Sequence, residues 1–132
     1  MKNDRGSAEM LLRIAQEDRK VFLLLADQGS EFLRQAFFHA QQAVEKALKA
    51  VLASRGHPVR KTHDLMELYG SLESVGLSCP LALDELDQLS PYAAMFRYDD
   101  TDIPRLDMDV ARATVARTIE WASALINEHD QP

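Results

Sequence analysis

Apolar residues recur every three or four positions along three long stretches of the chain, and this spacing is typical of helices that bury one face. The pattern predicts long helices over residues 7–26, 30–55 and 107–128, and shorter helices over residues 63–74 and 80–95. Ser7, Ser30 and Thr62 are the predicted N-caps. No stretch alternates for long enough to predict a strand. The predicted fold is therefore all-α, an up-and-down antiparallel bundle of three long and two short helices.

The second predicted helix has one broad apolar face and one polar face. At about 100° per residue, the apolar face consists of Leu33, Ala36, Phe37, Ala40, Ala43, Val44, Ala47, Leu48 and Val51. The opposite side consists of Arg34, Gln41, Gln42, Glu45, Lys46 and Lys49. Glu45 precedes Lys49 by four residues, which is the favourable order for an ion pair on a helix surface. We therefore expect this pair to meet solvent and to contribute little stability.

Length and composition indicate one globular domain over residues 1–132, with flexible ends at residues 1–6 and 129–132. The chain has 132 residues and is 46% hydrophobic, which is enough to bury a single core. The longest apolar run, residues 21–26, is too short to span a bilayer, and the N-terminus lacks the apolar stretch of a secretory signal. Since Cys79 is the only cysteine, the default expectation is a cytoplasmic location.

The cations of this acidic chain are concentrated in one segment. The net charge of −6 argues against broad, non-specific binding of nucleic acid. Residues 46–63 nevertheless contain no Asp or Glu and carry Lys46, Lys49, Arg55, Arg60 and Lys61. Such a segment either binds a phosphate group or is solvated surface, and both alternatives stay open. Four histidines without a compact group of carboxylates argue against a catalytic metal site, and no cofactor is expected.

Two residues interrupt the helical pattern. Asp18 projects from the apolar stripe of the first helix, and a buried carboxylate needs a partner. It either ties two helices together or lies beneath a functional polar cluster. Phe38 lies on the polar side of the second helix, where it forms a subunit contact or is covered by the fourth helix. The expected partners of Asp18 are Arg97, Lys46, His63 and Tyr98.

Two further segments carry residue types that recognise phosphate. His63 in "KTHDL" lies at a predicted helix start, where free N–H groups can hold an anion, and Lys61 is beside it. Arg97 and Tyr98 follow the fourth helix, and an Arg next to an aromatic ring can clamp a phosphate or stack on a base. The plainer alternatives are an ordinary capped helix with a surface histidine, and a structural pairing of Arg97 with Asp18.

The order of these motifs resembles the HEPN domain of small prokaryotic proteins. The first helix contains an Asp, and "FFHAQQAVEKALKAVL", "KTHDLMELY" and "YAAMFRYDD" follow it, so that the resemblance covers residues 8–126. It implies an up-and-down helical bundle that often forms homodimers. Many HEPN proteins are encoded beside a small nucleotidyltransferase in toxin–antitoxin-like pairs. Several branches are metal-independent ribonucleases in which a His follows an Arg after four to six residues.

The chain departs from that ribonuclease motif, because no His follows Arg97 at the required distance. Arg34 and His39 have the right spacing, but they lie about 140° apart around a helix. The candidate catalytic residues are therefore Arg97 and His63, which match the pattern of this branch. The candidate nucleotide- or phosphate-binding residues are Lys46, Lys61, Tyr98 and Asp18.

The resulting prediction is a HEPN-type module that interacts with nucleotide or RNA. It is expected to form a homodimer and to pair with a small nucleotidyltransferase in a toxin–antitoxin-like pair, without a membrane partner. One alternative is a metal-independent RNA endonuclease that acts as a homodimeric toxin. Another is a dimerising scaffold in which Asp18 and Arg97 pair for structure alone. The site requires Asp18, His63 and Arg97 to converge in one cleft.

Overall fold

The computed structural model describes residues 5–97 and 106–128, which contain five α-helices and two 3-10 segments. The α-helices are α1 Arg5–Ala26, α2 Leu33–Ser54, α3 Leu65–Ser74, α4 Leu83–Leu89 and α5 Met108–Glu128. The 3-10 segments are Gly29–Phe32 and Ser90–Arg97. Three helices are long, two are short, and the described residues form no strand, so the predicted all-α fold class is confirmed.

α2 lies at the centre of the bundle and packs against every other described helix. Its predicted apolar face is buried except for Leu33, which is partly buried and packs against the same core. Phe22 of α1 and Leu65 of α3 are fully buried in this core. Burial of one such side chain stabilises the fold by about 1.5–3 kcal/mol, so the apolar stripe of α2 organises the bundle.

Contacts at the two ends of the bundle give the directions of the long helices. Near the start of α1, Ala8 packs with Ala53 at the end of α2 and Ile126 at the end of α5. At the other end, Arg112 of α5 donates to Asp27, which follows α1, over 3.1 Å. α1 therefore runs antiparallel to both α2 and α5, and the short helices α3 and α4 carry the chain back between them. None of the helices within residues 5–97 and 106–128 is long and apolar enough to cross a membrane.

α2 ends in a hydrogen-bonded motif that reverses the chain. Gly56 has a φ of 75°, a backbone conformation that favours glycine, and its N–H donates to the carbonyl of Ala53 over 3.0 Å. The N–H of His57 donates to the carbonyl of Leu52 over 3.0 Å, which completes a Schellman motif. α3 ends in the same way at Gly76. Because of the reversal at Gly56, the following segment runs back beside α2.

The three predicted N-caps were wrong. Ser7 lies inside α1, and Ser30 lies in the 3-10 segment that precedes α2. Phe32 occupies the N-cap position of α2, and its side chain makes no capping hydrogen bond. Asp64 caps α3 by accepting from the N–H of Met66, so Thr62 is displaced from that role. His63 is therefore the residue before the cap, and it does not belong to the helix itself.

The single helix predicted over residues 80–95 is two elements, α4 and the 3-10 segment Ser90–Arg97. Pro91 has no N–H to donate and its ring disfavours a continuing α-helix, which explains the break. The ring of Tyr92 packs on that of Phe37 with centroids 5.2 Å apart and an interplanar angle of 60°. This aromatic contact holds the 3-10 segment against α2.

Glu85 joins α4 to α5. Its carboxylate accepts from the N–H of Ala82 at 2.9 Å, from Thr114 Oγ1 at 2.9 Å and from Arg117 Nη1 at 3.2 Å. Burial alone raises the pKa of Glu85, but these hydrogen bonds and the charge of Arg117 outweigh burial and leave the pKa below its usual value. The bond to Ala82 also satisfies one free N–H at the start of α4.

The predicted flexible ends lie mostly outside the described residues, which begin at Arg5 and end at Glu128. Arg5 and Gly6 are part of α1. Residues 98–105, which follow the second 3-10 segment in the sequence, lie outside the described residues as well.

Candidate functional site

A buried carboxylate on α2 holds four polar side chains together. Glu45 Oε1 accepts from Gln41 Nε2 at 3.1 Å and from His63 Nδ1 at 2.9 Å. Glu45 Oε2 accepts from Lys46 Nζ and from Lys49 Nζ, both at 3.0 Å. We refer to Gln41, Glu45, Lys46, Lys49 and His63 as the Glu45 cluster. It joins three turns of α2 to the segment that precedes α3.

The inner members of the Glu45 cluster lie in the protein interior, which corrects the predicted surface position of the Glu45–Lys49 pair. The side chain of Glu45 is 0% exposed and that of Lys49 is 7% exposed. Gln41, which the helical wheel also placed on the polar side, is fully buried. The two charges do form an ion pair at the predicted spacing. The pair is buried because α3 and its preceding segment cover this side of α2.

The environment of Glu45 keeps its carboxyl group ionised. Burial alone raises the pKa of Glu45, but the hydrogen bonds from Lys49 and His63, together with the charge of Lys46, outweigh burial and leave the pKa below its usual value. An ionised carboxylate can only accept hydrogen bonds. The hydrogen between His63 and Glu45 therefore belongs to His63 Nδ1. Nε2, on the other side of the ring, has no hydrogen-bond partner among the described residues.

The outward face of the Glu45 cluster is cationic. Two ammonium groups face one carboxylate, so the cluster keeps one positive charge in excess even when His63 is neutral. The carboxylate is covered, whereas the side chain of Lys46 is 21% exposed and that of His63 is 65% exposed. An anion that approaches the cluster thus meets an ammonium group and an imidazole edge, and the carboxylate lies behind them.

The backbone of His63 is fixed from two directions. Its carbonyl accepts from Gln41 Nε2 at 3.1 Å, which ties the segment to α2. On the other side, Glu67 of α3 accepts from Arg60 Nη1 and from Thr62 Oγ1, both at 2.8 Å. The guanidinium of Arg60 is thereby engaged. Lys61 lies between Arg60 and Thr62 in the sequence. It is exposed and forms no ion pair with the described part of the chain.

Asp18 has a partner that the sequence analysis did not predict. Asp18 Oδ1 lies 2.9 Å from Nδ1 of His39, and this hydrogen bond ties α1 to α2. Of the expected partners, Lys46 and His63 both contact Glu45 instead. His39 and Lys46 are seven residues apart, which places them on the same side of α2 and about 10 Å apart along its axis. The Asp18–His39 pair therefore lies beside the Glu45 cluster and not within it.

The remaining candidates stay predictions. The side chain of Arg97 and the whole of Tyr98 lie outside the described residues, so the convergence of Arg97 with the cluster stays a prediction. Phe38 is partly buried, and its ring meets that of His39 edge-on with centroids 5.2 Å apart. Both alternatives for Phe38 remain. Arg34 and His39 have the spacing of the ribonuclease motif, but the imidazole of His39 is hydrogen-bonded to Asp18.

Lys46 and His63, two of the predicted site residues, thus meet at one carboxylate. Glu45, Lys49 and Gln41 were not predicted as site residues. The available signal was their spacing of four residues each, which places all three on one line along α2. No group of three or more His, Cys, Asp or Glu in residues 5–97 and 106–128 is arranged to hold a metal ion.

Comparison with models of protein families gives a match to the HEPN domain. The family model for the HEPN domain matches residues 8–128, which include all of the Glu45 cluster and the Asp18–His39 pair. The comparisons with curated proteins and with solved structures gave no match.

Proposed function

The chain belongs to the HEPN domain family, whose model matches residues 8–128, and on this premise we propose that it is a helical module that binds nucleotide or RNA through a phosphate group. The family suggests a function related to nucleotides or RNA. The observation that supports the proposal is the Glu45 cluster, which presents Lys46 and His63 to solvent above a covered carboxylate. A phosphate oxygen accepts from the ammonium of Lys46, and it accepts from His63 Nε2 when both ring nitrogens carry a hydrogen.

Lys61 extends this surface, because it is exposed and lies two residues before His63. The proposed contacts to the ligand are thus Lys46, Lys61 and His63, with Arg97 and Tyr98 proposed to close the site from the end of the 3-10 segment. Only a few cations take part, and the chain as a whole carries a net charge of −6. The affinity for RNA should therefore fall less steeply with salt than it does for proteins that neutralise many phosphates.

We further propose a homodimer and a small nucleotidyltransferase as the partner in a toxin–antitoxin-like pair. The support for both is the resemblance of the chain to HEPN proteins that form such pairs. The partly buried ring of Phe38 is the proposed subunit contact. A small nucleotidyltransferase gene next to the gene of this chain would support the pairing, and its absence would count against it.

The test of ligand binding is a titration of the protein with ATP and with a short single-stranded RNA, in low and in moderate salt. We expect binding by the wild type and its loss in a Lys46→Ala/Lys61→Ala variant. Arg13→Ala/Lys20→Ala is the matched control, since it also removes two positive charges and both residues are exposed on α1. Absence of binding to the wild type would refute the proposal, as would binding that is equal in the double variant and the control.

A second candidate function is metal-independent RNA cleavage. The observation that favours it is the hydrogen bond from His63 Nδ1 to the Glu45 carboxylate at 2.9 Å. A carboxylate that orients an imidazole in this way leaves Nε2 as a general base or acid. In this proposal, Arg97 stabilises the charge that develops on the phosphorus oxygens.

Incubation of the purified protein with tRNA in the presence of EDTA tests this second function. Loss of a general base or acid typically slows a reaction by about 10²- to 10⁴-fold, and His63→Ala should show such a loss. Cleavage that survives both His63→Ala and Arg97→Ala would contradict these roles. A wild type that cleaves no RNA would leave the binding module as the better description.

A further inference from the structure

We propose that Glu45 is a positioning residue of the phosphate site, whose buried carboxylate fixes the ammonium of Lys46 and the imidazole ring of His63 toward the ligand. Lys49 is its internal counter-ion in this arrangement. The inference rests on the proposed function for the identity of the ligand. The orientation of His63 by Glu45 is, however, a property of the free protein and can be tested without a ligand.

The burial of the Glu45–Lys49 pair is the first argument. A buried ion pair loses the hydration of both charges, and an apolar pair of similar volume often gives equal or greater stability. A purely structural role is therefore a weak reason to place two charges here, with side chains 0% and 7% exposed. A role in holding other groups gives a reason for the charges.

The second argument is that two of the four donors to Glu45 are buried and two reach solvent. Gln41 and Lys49 are buried and approach Glu45 from within the bundle. Lys46 and His63 approach the same carboxylate from the side that reaches solvent. One carboxylate thus fixes two surface donors, one on each of its oxygens. A long lysine side chain that is not held in this way samples many rotamers, and a bound phosphate would have to restrict them.

Lys49 accounts for the charge of the site. Without it, the carboxylate of Glu45 would cancel the charge of Lys46 and leave no attraction for an anion. Its ammonium is too deeply buried to reach a ligand, and it contacts Glu45 at 3.0 Å. Lys49 therefore neutralises Glu45 from the inside, so that the charge of Lys46 stays available outside.

The decisive variant is Glu45→Met/Lys49→Met, because it removes one negative and one positive charge and leaves the net charge unchanged. Both positions become apolar, so no buried charge lacks a partner, and we expect the fold to be retained. Lys46 and His63 lose the acceptor that positions them. We expect the affinity for ATP or RNA to fall by about tenfold, equivalent to ~1.4 kcal/mol. Because the net charge is conserved, such a loss reports geometry.

The second readout is the tautomer of His63, from nitrogen NMR of the histidine rings in the absence of ligand. The wild type should carry its hydrogen at Nδ1, and the double variant should lose this preference. Glu85→Gln is the control, since it removes another carboxylate that is held by side-chain donors, far along the chain at the α4–α5 contact. It should leave both the affinity and the His63 signals unchanged.

The outcomes separate the two proposals. A wild-type protein that binds neither ATP nor RNA refutes the proposed function, while the His63 tautomer still decides whether Glu45 orients the ring. A wild type with the hydrogen at Nε2 overturns the positioning role, even if the double variant does not fold. A folded double variant that keeps both the affinity and the tautomer overturns it as well.

Discussion

Removal of the Glu45 carboxylate alone should destabilise the fold severely. Glu45→Met leaves the ammonium of Lys49, whose side chain is 7% exposed, without the acceptor that it contacts at 3.0 Å. Breaking a buried ion pair from one side costs about 3–5 kcal/mol. Lys49→Met should cost less, about 1.5–3 kcal/mol, because Glu45 keeps hydrogen bonds from Gln41, Lys46 and His63.

The expected shift in melting temperature follows from the length of the chain. An unfolding entropy of about 2.1 cal/mol/K per residue over 132 residues gives roughly 3.6 °C for each kcal/mol. A cost of about 3–5 kcal/mol therefore lowers the Tm of Glu45→Met by ~11–18 °C. The Glu45→Met/Lys49→Met variant should unfold within about 4 °C of the wild type, since both charges are gone.

Differential scanning calorimetry of the wild type, the two single variants and the double variant gives the full cycle. A buried pair requires strong coupling between the two positions, with the double variant more stable than Glu45→Met. Additive losses would show that the two charges do not depend on each other and would refute the description of a buried pair. Glu67→Gln is the control, because it removes a carboxylate of an exposed ion pair and should leave the Tm nearly unchanged.

Three further predictions concern pH, the α1–α2 contact and the subunit contact. Because the pKa values of Glu45 and Glu85 are lowered on folding, the two carboxylates stabilise the folded state fully above the ordinary pKa of 4.5, and this contribution is lost as the pH falls through the lowered values. The free energy of unfolding from urea denaturation should show a plateau above that pH and a decline below it, and a flat profile would contradict both shifts. Asp18→Asn weakens the bond to His39 and should lower the Tm by about 4 °C, whereas an unchanged Tm would show that the pair ties nothing together. Phe38→Glu should give the mass of a single protomer in light scattering, and a persisting dimer would reject Phe38 as the subunit contact.

The helical bundle could be predicted from the sequence because its long helices have a regular apolar spacing. The break at residues 90–97 was missed for a physical reason. Leu86, Leu89 and Tyr92 follow one another at intervals of three, and all three are buried. An interval of three fits an α-helix about as well as a 3-10 helix, which repeats every three residues. Periodicity alone therefore could not locate the change that Pro91 imposes.

The candidate site could be predicted only in part. The excess of cations over residues 46–63 led to Lys46 and His63, because charge along the chain is visible in the sequence. The partner of Asp18 was not visible, since His39 lies twenty-one residues away and several polar groups fit the same role. The roles of Arg97 and Tyr98 remain predictions based on their residue types and on the family resemblance.

The polar side of α2 was interpreted as solvated because a helical wheel shows one helix without its neighbours. α2 is packed by α1 and α5 and also by α3 and the segment before it, so little of its girth is left for water. Charges on that side are consequently forced to pair with one another, and the pairing at Glu45 leaves one positive charge in excess. The side chain of Lys46 is only 21% exposed, so water screens its charge less than that of a fully solvated lysine. The distant field of an acidic chain meanwhile opposes long polyanions, so we expect the site to favour a ligand that can bring a single phosphate close to Lys46 and His63.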